Sequence, residues 1–152
     1  MNLYVSQIYI EPGINYPFSH IFQKFISDSL SDSVVESPYF IKKYGENFSL
    51  VFNMSAKIHV EEVEIHGPSV YHKGKNVEYT IFVPFEEMTD KRYWDSVELA
   101  KPLKHLFSGI ILVLEKLEID PQRVVENFDE WIRRVTSDAA MISSEKWWHS
   151  TE

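Results

Sequence analysis

The short turn Lys73-Gly74-Lys75-Asn76 constrains this chain more than any other feature. Val70-Tyr71-His72 precede it, and Val77, Tyr79, Ile81 and Val83 follow at every second position until Pro84. A tight polar turn between alternating apolar residues specifies a β-hairpin, because successive side chains of a strand point to opposite faces. Such a hairpin has one apolar face, and the rest of the chain must cover it.

Upstream of the hairpin lies HVEEVEIHG, residues 59–67, with two histidines and three glutamates. As a strand it places Glu61, Val63 and Ile65 on one side and Glu62, Glu64 and His66 on the other. Val63 and Ile65 then face the core, and Glu62 and Glu64 face water. Gly67-Pro68 interrupts before Val70 resumes, so residues 58–85 are expected to form a β-meander.

Other strands are expected near the N-terminus. Leu3, Val5, Ile8 and Ile10 alternate with one irregularity near Gln7, and Glu11-Pro12-Gly13 has turn chemistry. Phe48, Leu50, Phe52 and Met54 share one face of a further strand. Between these two, Pro17 to Leu30 predicts a helix, with Phe18, Ile21, Phe22, Phe25, Ile26 and Leu30 at helical spacing. Ser27 to Ser37, rich in Ser and Asp, is expected to hold the helix end and a loop.

The second half is helical. Leu103, Leu106, Phe107, Ile110, Leu114 and Leu117 make an apolar stripe from about Pro102 to Ile119, with Pro102 placed near the helix start. Ser108-Gly109, in mid-helix, is expected to be a close-packing point. Asp120-Pro121 caps a second helix, with Val124, Val125, Phe128, Trp131, Ile132 and Val135 inward and a weak turn at Ala139-Ala140-Met141-Ile142. Strands followed by helices predict an α+β fold, a mostly antiparallel sheet with helices packed on one face. At 152 residues the chain is expected to be a single domain, 1–152.

Composition narrows the function. With no cysteine, disulfides and thiolate sites are excluded, which suits a reducing compartment. The N-terminus has no positive n-region and the longest apolar run, Gly109 to Leu114, is far below the ~20 residues of a membrane span. A cytoplasmic protein is expected, without a membrane partner. The net charge of −8 is unevenly placed. Residues 60–90 carry seven acids (Glu61, Glu62, Glu64, Glu78, Glu86, Glu87 and Asp90) against Lys73 and Lys75. Phosphate contacts need Lys and Arg, so nucleic acid is not the expected partner. A concentrated acidic face favours a basic protein and speeds the encounter.

Catalytic motifs are sparse. His59, Glu61, Glu64 and His66 offer zinc-compatible donors, but on one strand the His59/Glu61 and Glu64/His66 pairs point to opposite sides. No His-Glu-x-x-His arrangement, nucleophile elbow or phosphate-binding glycine loop occurs. A small metal-dependent or hydrolytic enzyme on the 59–66 strand stays open as an alternative, beside a solvated strand face that binds protein. No catalytic residue, metal or cofactor is assigned. Glu62, Glu64 and His66, with Glu86, Glu87, Tyr93 and Trp94, are the expected partner-binding residues: acids steer, and aromatics supply buried area. Trp147 and Trp148 pose a choice between partner anchor and core.

The run EVEIHGPSVYHKGKNVEYTIFVPFEE, then a helix ending LEKLEID, then a final amphipathic helix, resembles small bacterial immunity proteins encoded beside polymorphic or contact-dependent toxins. The likeness lies in the order of elements and in the strand ending IFVPF, over about the last two-thirds of the chain. It implies a cytoplasmic inhibitor that binds and neutralises one cognate toxin domain. Toxins of the nuclease kind are usually basic, in keeping with the acidic segment. The resemblance carries over no contact residue, and a subunit of a non-toxin assembly fits the same sequence.

Overall fold

The computed structural model describes residues 3–10, 14–15, 27–28, 30–32, 37–57, 59–84 and 96–144. Its strands are β1 (Leu3–Ile10), β2 (Ile14–Asn15), β3 (Ser49–Lys57), β4 (Glu64–Tyr71) and β5 (Asn76–Pro84). Its bounded helices are α1 (Pro38–Tyr44), α2 (Ser96–Lys116) and α3 (Gln122–Ser144). The fold is α+β.

The sheet runs in the order β2-β1-β3-β5-β4 and is mixed. β1 with β3 and β3 with β5 are parallel, whereas β1 with β2 and β4 with β5 are antiparallel. The expectation of a mostly antiparallel meander is corrected here, and the reason is chain length. The stretch from Ile10 to Ser49 is long enough for the crossover that parallel neighbours require, and Ser27, Asp28 and Leu30–Asp32 within it are helical. Local alternation specifies a strand but not which strand lies beside it. The β4–β5 hairpin forms as expected, with Tyr71 opposite Asn76. Yet β5, not β4, lies against β3, so the chain after Lys57 must cross the end of β5 to reach the far edge. The irregularity near Gln7 is present as a register shift between Val5 and Gln7.

One face of the sheet is the core. Leu3 and Val5, then Leu50, Phe52, Met54 and Ala56, then Val77, Tyr79, Ile81 and Val83 are all buried there. The six stripe residues named from the sequence, on α2 and just past its end at Leu117, are each at most 3 % exposed and belong to the same cluster. Gly109 makes the close approach possible: a Cβ there would lie 2.6 Å from Cγ2 of Ile81 on β5. α2 itself begins at Ser96, so Pro102 is interior and buried, not near the start. The packing of the stripe below it outweighs the backbone bond that a proline removes.

α3 folds back on α2 through Phe107, whose ring meets Phe128 and Trp131 at centroid distances of 5.3 and 5.7 Å. The Asp120 cap is present, with Oδ1 accepting from the Gln122 amide at 3.0 Å. Val124, Trp131 and Ile132 are buried, but Val125 is 53 % exposed and faces outward. No turn interrupts Ala139–Ile142, since α3 continues to Ser144. The side chain of Val135 lies outside the described residues.

α1 has no counterpart among the sequence expectations. Seven residues are too few to show a period, but its ends are well marked. The Ser37 hydroxyl accepts from the Phe40 amide and donates to the Leu117 carbonyl at the end of α2, 3.2 Å away. Pro38 opens the helix and Gly45, at φ +112°, closes it.

Candidate protein-binding surface

The connection from β3 to β4, described over residues 59–63, carries the chain across the end of β5. The turn is fixed by the Val60 amide donating to the Lys57 carbonyl at 3.3 Å. His59, Glu61 and Glu62 are exposed on this crossing, while Val63 is half-buried and packs against the core. β4 then begins at Glu64, not before it. Glu62 therefore belongs to the crossing segment, and its expected place on a shared strand face with Glu64 and His66 is corrected. A strand that must first travel sideways cannot keep its pleat. Ile65 does turn to the core, half-buried, as expected.

Glu64 and His66 stand together on the outer face of β4, with their side chains 61 % and 60 % exposed. His66 Nε2 lies 3.6 Å from Glu64 Oε2. The His66 ring meets the Phe82 ring of β5 edge-on at 4.6 Å, and Lys57 Nζ sits 5.2 Å from the centre of the Phe82 ring. The parallel register continues this row inward: Glu64, Phe82 and Ser55 are neighbours, and so are His66, Thr80 and Asn53. Asn53 Nδ2 donates to Glu78 Oε1 at 2.9 Å and so fixes that carboxylate on the middle of this face. Sequence reasoning did not find Lys57, Asn53 or Phe82. They become neighbours of Glu64 and His66 only through the parallel register, which alternation does not encode.

Glu86, Glu87, Tyr93 and Trp94 lie outside the described residues, as do Trp147 and Trp148. Among the described residues, no group of three or more His, Asp or Glu is placed to hold a metal ion. Likewise no described helix is long and apolar enough to cross a membrane.

What this surface can do is recognise charge. Three exposed carboxylates, Glu61, Glu62 and Glu64, project from one corner of the sheet. They are backed by a half-buried aromatic, Phe82, and by polar groups already engaged with one another. Compared with protein-family models, with curated proteins and with solved structures, the chain matches none.

Proposed function

We propose that this chain is a cytoplasmic immunity protein that binds a cognate toxin domain, a basic nuclease, and neutralises it by protein–protein interaction. The observation that carries the reading is the exposure of Glu61, Glu62 and Glu64 at one sheet corner, within the segment that holds most of the net negative charge. Carboxylates held near one another make the local potential more negative. They accelerate capture of a positive surface and discriminate against acidic ones. Nothing about the site requires chemistry on a substrate, because its role is to cover a basic groove. Glu86, Glu87, Tyr93 and Trp94 are proposed to extend the same surface, the aromatics supplying contact area.

The test is charge reversal. Glu62→Lys and Glu64→Lys together should slow association with the cognate toxin domain and flatten its dependence on salt, because steering is screened over ~10 Å at 0.1 M salt. Stopped-flow association rates at low and high ionic strength read both effects. Unchanged rates and an unchanged salt slope would remove this corner from the interface.

A further inference from the structure

We propose that β4 is a self-pairing edge, through which two copies of this chain join antiparallel about a two-fold axis at Gly67–Pro68. The inference does not rest on the toxin-binding reading.

The two sides of the sheet end differently. Beyond β1, the Ser27 hydroxyl accepts from the Val5 amide at 2.9 Å, and the Ser31 hydroxyl accepts from the Leu3 amide and donates to the Leu3 carbonyl. Helical serines thus satisfy backbone groups that a neighbouring strand would otherwise take. β4, at the other side, has four consecutive exposed residues, His66 to Ser69. Among the described residues no strand pairs with β4 on the side away from β5, and a sheet edge is a template for another strand.

The pattern on that edge selects the occupant. Along β4 the exposure runs exposed, half-buried, four exposed, half-buried, exposed, which is the same in both directions. The cause is the register shift between His66 and Ser69, which inserts one residue opposite β5. Without it, Glu64 and Tyr71 would lie on opposite faces. With it, Glu64, His66, Ser69 and Tyr71 share the outer face, and Ile65 and Val70 share the core face. Antiparallel pairing about the centre then sets Glu64 against Tyr71, Ile65 against Val70, and His66 against Ser69, each pair on one face. Ile65 and Val70, both half-buried in one copy, would cover each other.

Charge is complementary under the same operation. Glu61 and Glu62 precede the strand, and Lys73 and Lys75 follow it; all four are exposed. The two-fold brings the acidic crossing segment of each copy toward the lysine turn of the other, so the interface is isologous and opposite in sign at both ends. Pro68 has no N–H to give, so the hydrogen-bonded ladder is carried by residues 64–66 and 69–71. So short an edge places the dimer in the weak, reversible class, below ~1,200 Å². A basic partner and a second copy would compete for Glu62.

Equilibrium sedimentation of the full chain over a range of concentrations tests this. The expected result is a monomer–dimer equilibrium weakened by salt. Glu62→Lys and Lys73→Glu should each raise its Kd roughly three- to thirty-fold, since each change sets like charges at both ends of the interface. The double variant Glu62→Lys/Lys73→Glu should restore the dimer, because the ends are again opposite. A monomer at every concentration, single variants with unchanged Kd, or a double variant that fails to recover would each overturn the proposal.

Discussion

Single residues set the tolerances of this fold. Gly109 is buried in α2, and a Cβ there would lie only 2.6 Å from Ile81 Cγ2, which leaves no room for a methyl group. Gly109→Ala gains about 1 kcal/mol of helix propensity and overpacks the interface by about 1–3 kcal/mol. The net effect is a loss of stability, measurable by urea denaturation and recovered in part by Ile81→Val. Ser37 joins two helix ends with one hydroxyl. Ser37→Ala should cost about 1–2 kcal/mol, at the upper part of the range for a lost cap, because the Leu117 carbonyl also loses its donor. Tyr79 is buried at 2 % exposure, and burial, reinforced by the neighbouring Tyr44, holds its phenol well above the ordinary value of 10.0. The folded state then keeps a proton that the unfolded chain releases near pH 10, so stability falls as pH rises beyond that point. Tyr79→Phe should remove this alkaline slope in pH-dependent melts. An unchanged slope would mean that another group is responsible.

At the scale of elements, the legible parts were those with a long period or a strong local code. The α2 stripe spans several turns, and every residue named in it is buried. The turn at Lys73–Asn76 has local chemistry that fixes a hairpin without help from elsewhere. The close-packing role of Gly109 was legible too, since a mid-helix glycine implies contact. The rest required tertiary information. Strand order and parallel pairing depend on how a long connection is laid over the sheet. Pro102 within α2 and the outward turn of Val125 are decided by packing, not by propensity. Of the seven candidate partner residues, exposure was legible for Glu62, Glu64 and His66. Their neighbours Lys57, Asn53 and Phe82 were not, because sheet register supplies them. Phe107 tests how the elements are joined: Phe107→Ala should cost about 3–5 kcal/mol and loosen α3 first, because its ring is the contact with Phe128 and Trp131. Hydrogen exchange of α3 amides would register that order of loss.

At the scale of the molecule, the asymmetry of charge and the asymmetry of the sheet coincide. Among the described residues, the serine-covered side at β1 lies opposite β4, which pairs with no strand beyond β5, and the exposed acids gather where the chain crosses to β4. With the core beneath one face, the residues of this corner stay exposed. Co-expression measures the central claim most directly. The tagged chain would be produced with the C-terminal domain of any large toxin-like protein encoded beside it, and purified at low salt. The account predicts a stoichiometric complex with a basic domain, relief of that domain's toxicity, and loss of both with Glu62→Lys/Glu64→Lys. Full toxicity in the presence of the folded chain, with no complex at low salt, would contradict it.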